Sequence, residues 1–170
     1  RVLAEAGQFA AARELLRSGL AAYGPATRDS HWLLYRVEDA VLDLRAGRLE
    51  EAYAALTELR PVAFELEALF PRMRLLFHRG EAARQLGLDS AEEEMSEALG
   101  LGRSLGYDAF LRAEFRRDTA PFFYLLRRGR ECEFIARLAA GAGSTLELEI
   151  LQMAGEESLC LLYTSPSPRD

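Results

Sequence analysis

Apolar residues recur every three to four positions along most of the chain, the spacing of an amphipathic helix. That pattern itself repeats. Ala6-Gly7-Gln8-Phe9-Ala10-Ala11-Ala12, Ala46-Gly47-Arg48-Leu49-Glu50-Glu51-Ala52 and Leu86-Gly87-Leu88-Asp89-Ser90-Ala91 align at a period of 40 residues. Each puts a glycine between two helical patterns, where a left-handed residue ends one helix before the next begins. The stripes that follow are Phe9, Ala12, Leu16, Gly19, Leu20 and Tyr23; then Leu49, Ala52, Leu56 and Leu59; then Leu88, Ala91, Met95, Ala98, Gly102 and Leu105. The stripes that precede the second and third glycines are Leu33, Val37, Ala40, Val41 and Leu44, and Met73, Leu76, Phe77, Gly80 and Ala83. Small residues recur within them (Ala12, Ala52 and Ala91 in one set, Ala40 and Gly80 in the other), as close helix crossings require. A helix, a glycine turn and a second helix, repeated, is the unit of a solenoid. The predicted fold is all-α, a right-handed helical-hairpin solenoid.

Punctuation divides the array into units of about 1–24, 25–61, 62–106 and 107–140. Gly24-Pro25 separates the first two, and Asp29 or Ser30 caps the helix carrying Trp32. Pro61 is expected to end the helix closing the second unit, and Pro71 to sit in the first turn of the next. Gly106-Tyr107-Asp108 opens the fourth unit with Asp108 as cap. Asp118-Thr119-Ala120-Pro121 should break its first helix in two, and a last helix should run from about Arg130 to Ala140. Gly141-Ala142-Gly143-Ser144 reads as a linker. Beyond it Leu146, Leu148 and Ile150 alternate with Glu147 and Glu149, a strand pattern. A lone strand is unstable, so residues 141–159 are expected to begin a following, truncated domain.

Composition narrows the function classes. The chain has 170 residues, 49% hydrophobic and 28% charged, as a packed soluble domain has. Every one of its 21 basic residues is arginine, and lysine and asparagine are absent, which points to a GC-rich genome, most often bacterial. A net charge of −6 argues against a nucleic-acid surface spread over the whole chain. No membrane span or signal peptide is visible, so a cytoplasmic location is expected. Cys132 and Cys160 lie in no metal or redox spacing, and Cys132 reads as a small buried helical residue. The chain opens inside a helical pattern without an initiator Met, as a fragment would. Residues 160–170, Cys160 through Asp170, resemble the translation of a common transposase sequencing adaptor and are expected to be a disordered scar.

The signature Gly-x-[Phe/Leu]-x-x-Ala, with a small residue midway along the preceding helix, resembles tetratricopeptide repeats, here with a longer period than their usual 34. Longer, looser repeats of this kind are similar to those of large MalT-like bacterial transcription regulators, in which an ATP-binding module precedes the helical region. Leu105-Gly106-Tyr107-Asp108-Ala109-Phe110-Leu111, followed by Glu114 and Arg116-Arg117, resembles a segment such regulators carry before a second DNA-binding and activator domain. That domain's Leu-Gly-x-Phe is replaced here by Leu151-Gln152-Met153-Ala154. The resemblance implies a non-catalytic interaction and effector-sensing arm. Its partner would be another protein or a second copy, with a small-molecule effector, and DNA would be reached only through domains outside these residues. The alternatives are a generic scaffold for protein assembly unrelated to transcription, and a repeat region appended to an enzyme.

Candidate chemistry is sparse, and neither a catalytic, cofactor-binding nor metal site is assigned. His31 reads as a surface residue and His78 as a partly buried or a flank residue, with no second ligand at metal spacing. Glu92-Glu93-Glu94 reads as a solvated face that offsets the helix dipole rather than a cation site. Arg112, Arg116, Arg117, Arg127, Arg128 and Arg130 interleave with Phe115, Phe122, Phe123 and Tyr124. A nucleic-acid or nucleotide surface is one reading. The weightier one makes the aromatics core and the arginines snorkelling partners of Glu114, Asp118 and Glu131. Trp32 and Tyr35 read as packing residues before ligand anchors. Gly100-Leu101-Gly102 lacks the context of a phosphate loop, and no Ser/His/Asp arrangement has a local signature.

Overall fold

The computed structural model describes residues 7–21, 23, 28–140 and 150. Among them the regular structure is entirely helical: α1 (Phe9–Ala21), α2 (Ser30–Arg45), α3 (Leu49–Glu65), α4 (Leu69–Leu86), α5 (Ala91–Leu105), α6 (Asp108–Arg117), α7 (Ala120–Leu126) and α8 (Cys132–Ala139). The chain divides into two units, one to Ala98 and one from Leu99, with the division inside α5.

The glycine turns form as the 40-residue pattern requires. Gly7, Gly47 and Gly87 have φ of 73°, 78° and 72°. At two of them the same main-chain bond closes the turn, Arg48 N–H to Asp43 O at 3.0 Å and Leu88 N–H to Ala83 O at 2.8 Å. This six-to-one bond satisfies a carbonyl the helix end would leave orphaned. The N-terminus of α2 is capped as expected, with Asp29 Oδ1 accepting from Trp32 N–H at 2.8 Å. Pro71 lies buried in the first turn of α4, and Asp118-Thr119 separates α6 from α7, with Pro121 at the start of α7.

Three boundaries differ. Pro61 does not end a helix; it lies inside α3, which continues to Glu65. Pro61 is on the exposed side, where water can serve the carbonyl one turn back. The extra turn buries Ala63 completely, and Arg60 and Arg72 stack on Phe64 at 4.7 and 3.6 Å. The chain then reverses at Glu67, with φ 50°. Tyr107, not Asp108, is the cap of α6; Asp108 is the first helical residue, where its charge still meets the helix dipole. Of the expected strand, residues 146–149, like the linker Gly141–Ser144 and the tail 160–170, lie outside the described residues. Ile150 is helical and fully buried, not extended.

In the first unit α1 packs on α2, α2 on both α3 and α4, and α3 on α4. Ala12 clusters with Leu42, and forty residues on Ala52 clusters with Ala82. α4 is buried through Leu75–Ala83 without a break, so no side of its middle faces water. The small residue there has a measurable purpose. A Cβ on Gly80 would stand 2.6 Å from Met95 Cγ, 3.1 Å from Met95 N and 3.2 Å from Ala91 O. Gly19 serves α1 likewise, lying against the ring of Tyr35. The stripe on α5 is buried at Ala91, Met95 and Ala98, but its ends, Leu88 and Leu105, are exposed, and Leu99 is buried in addition.

In the second unit α8 packs on α6 and α7. Its core holds Phe110, Leu111, Phe115, Phe122, Leu125, Leu126, Phe134, Ile135 and Leu138. Phe115 and Phe122 meet edge to face at 5.1 Å across the break between α6 and α7.

The two kinds of glycine separate in a stability experiment. Gly80→Ala gains helix propensity of about 1 kcal/mol but collides with the backbone of α5; overpacking of about 1–3 kcal/mol should leave it destabilised. Gly100 lies inside α5, and a Cβ added there would meet nothing within 4 Å. Gly100→Ala should therefore be more stable by about 0.5–1 kcal/mol. Urea midpoints of the two variants, with opposite signs, check the crossing at Gly80.

Candidate functional site

Two polar constellations in the first unit bear on what the helices can do. The first is buried. Arg79, in the buried middle of α4, donates from Nε to Thr57 Oγ1 at 3.0 Å and from Nη2 to Tyr53 OH at 2.8 Å, and Nη1 pairs with Glu94 Oε1. The Tyr53 ring also lies against the guanidinium, at 4.6 Å. The Thr57 hydroxyl donates to Tyr53 O at 2.7 Å, which leaves its lone pairs for Arg79. One guanidinium thus ties α3, α4 and α5. Burial pushes the Glu94 carboxyl above its ordinary range, and the charge and hydrogen bonds of Arg79 and Ser90 offset only part of that. Two further pairs brace α4, Arg74 with Glu38 of α2 and Arg72 with Glu97 of α5.

The second constellation is open. Arg13 Nε lies 3.0 Å from Asp39 Oδ1, and Arg13 Nη2 lies 2.6 Å from Asp43 Oδ1. Arg48 takes the same Asp43 oxygen from Nε at 2.7 Å and Nη2 at 2.5 Å. Burial alone would raise the Asp43 carboxyl, but the two guanidiniums together hold it below its ordinary value. Arg13 is raised in turn, chiefly by its hydrogen bond to Asp43. Beside this cluster Phe9, Ala10, Arg13, Glu14, Arg17 and Arg48 line a cleft of about 440 Å³.

Several residues sit elsewhere than the sequence pattern suggests. Glu94 is not part of a solvated face; it is 7% exposed, while Glu93 faces water. Its signal was the helical register: it lies three residues after buried Ala91 and next to buried Met95. His78 is fully buried rather than flanking, its ring edge-on to Phe77 at 5.4 Å. His31 is exposed. Tyr35 packs against Gly19 and Tyr23, while Trp32 is half-buried between Arg28 and Arg36. Cys132 is half-buried at the start of α8. In the basic–aromatic stretch Phe115 and Phe122 are core, while Phe123 and Tyr124 are half-buried. Arg117 pairs with buried Glu114, Arg128 lies over Tyr124 at 3.8 Å, and Glu131 is taken by Arg103. Asp118 caps Ala120 N–H at 2.9 Å. Among the described residues no three His, Cys, Asp or Glu side chains gather as a metal-ligand set. No family model, curated protein or solved structure matches the chain.

Removing one partner of a buried ion pair costs about 3–5 kcal/mol, whereas replacing both with apolar residues of similar volume is near neutral. Arg79→Met should therefore be strongly destabilised and the Arg79→Met/Glu94→Leu double variant largely restored; a double-mutant cycle from chemical denaturation measures the coupling.

The two carboxyls should also show opposite pH slopes. Asp43, held low in the folded chain, contributes stability above its unfolded value, 3.8, and loses it as pH falls through the folded one. Glu94, held high, contributes most below its unfolded value, 4.5, and loses that contribution as pH rises through the folded one. Melting profiles against pH should flatten at the acid end in Asp43→Asn. In Glu94→Gln they should lose a decline above that unfolded value.

Proposed function

We propose that this chain is a non-catalytic, tetratricopeptide-like helical-repeat arm that binds other proteins and senses an effector within a MalT-like bacterial transcription regulator of the cytoplasm. The observation that carries the reading is the echo at 40 residues. The left-handed glycines, the six-to-one turn bonds and the Ala12–Leu42 and Ala52–Ala82 clusters each recur at that spacing. Repeated pairing of this kind supports a right-handed solenoid, whose stacked hairpins expose a continuous surface suited to partners. Among the described residues no helix is long and apolar enough to cross a membrane. The buried polar cluster around Arg79 has the geometry of a fastening between helices rather than of a reaction centre, since each of its three guanidinium nitrogens donates to a neighbouring helix. Within this reading residues 141–159 lead into the DNA-binding and activator domain.

The parent open reading frame tests the regulator. A nucleotide-binding module on one side and a DNA-binding domain on the other are expected; a frame with neither removes it and leaves a scaffold. The arm itself is expected to self-associate or to capture a protein partner, read by sedimentation and by pull-down with the full-length protein. A strictly monomeric chain with no partner in either assay contradicts an interaction role.

A further inference from the structure

We infer that the cleft beside α1 is a binding site for a small organic anion, a carboxylate or phosphate ester with an apolar body. The inference rests on the effector-sensing reading above and gives that effector a chemical class. Three guanidiniums and one carboxylate, Glu14, line the cleft, in a chain whose net charge is −6. Its volume of about 440 Å³ lies in the range of small-molecule sites. Two of the guanidiniums are already oriented. Asp43 accepts from both Arg13 and Arg48 through one oxygen, which fixes both side chains and leaves their Nη1 donors out of those bonds. Arg17 is exposed and makes no ion pair among the described residues. Arginines locked by a carboxylate behind them bind an anion in front with little further loss of side-chain freedom. Phe9, half-buried, and Ala10 offer the apolar wall.

The repeat supplies an internal template. Arg13 and Arg17 stand one and five residues after Ala12, as Tyr53 and Thr57 stand after Ala52. In the second case those positions close on Arg79, and a carboxylate of the next helix, Glu94, completes the cluster from three residues past Ala91. Three residues past Ala52 the next helix of the first case carries Ala55, which brings no carboxylate. The third-helix carboxylate of one repeat thus has no counterpart at Ala55 in the other, where Arg13 pairs instead with Asp39 and Asp43 of α2. An external anion in the cleft meets guanidiniums as Glu94 meets Arg79 on the neighbouring repeat, though from a different position.

Calorimetric titration of the full chain with benzoate, phenyl phosphate and inorganic phosphate tests this. Saturable binding of benzoate or phenyl phosphate is expected, with inorganic phosphate weaker, and whichever organic probe binds tighter identifies the headgroup. Arg17→Gln should weaken binding about tenfold or more, as loss of a charge-assisted hydrogen bond does. Arg48→Gln should weaken it too, and Arg127→Gln, an exposed arginine of the second unit, should not. Since Arg17 makes no ion pair among the described residues, its variant should melt at the temperature of the unaltered chain. Heats that never saturate, equal binding of all three probes, or an Arg17→Gln protein that binds as tightly as the original overturns the site. Such a failure alongside successful partner capture removes the anion site alone; saturable binding without any partner removes the interaction role and keeps the site.

Discussion

A helix buried around its whole circumference has no solvent side on which to place charge, and α4 nevertheless carries Arg79 at its centre. The cost of desolvating a guanidinium is offset by a bond from each of its three nitrogens, to a hydroxyl and a phenol from α3 and a carboxylate from α5. Each of those groups comes from a different turn or helix, so the arginine is satisfied only when all three helices are in register. Apolar burial along α4 drives association but is tolerant of small slides. The Arg79 cluster is not, and it selects one alignment of α3, α4 and α5. The close contact at Gly80, one residue on, works with it, because the backbone of α5 can approach near enough for Glu94 to reach.

How much of this was legible in the sequence depended on the kind of signal. Period-3.6 stripes and left-handed glycines are local, and they located the helices and the turns at Gly47, Gly87 and Gly106. The break at Asp118–Pro121 and the cap at Asp29 followed from side-chain geometry within four residues. Pro61 misled because a proline's effect depends on which side of the helix it occupies. On an exposed face, with Ala63 and Phe64 to be packed beyond it, tertiary burial outweighs the lost hydrogen bond. Glu94 misled because three consecutive glutamates suggest water; only the distance from Ala91 and Met95 showed that the third points inward. Nothing in a single sequence distinguishes Arg79, bound for a three-helix core, from arginines that snorkel.

The two polar clusters are variants of one arrangement with the charges redistributed. Arg13 on α1 reaches Asp39 on α2, and forty residues later Tyr53 on α3 reaches Arg79 on α4. The cation has moved from the first helix of the pair to the second, while the contact between the positions persists. A repeat can therefore keep its packing geometry and still change what it presents. One pair hides its charge behind a third helix, and the other leaves arginines at an open edge.

The turns make that divergence possible. Asp43 O to Arg48 N and Ala83 O to Leu88 N are bonds between main-chain atoms, so the reversal of direction depends on the glycine and on nothing in the side chains around it. The residue just after the glycine is consequently released from architectural duty. In one turn it is an arginine that reaches back to grip an aspartate at a cleft; in the other it is a leucine left in water. A chain built on such joints can alter its chemistry at each bend without altering the bend.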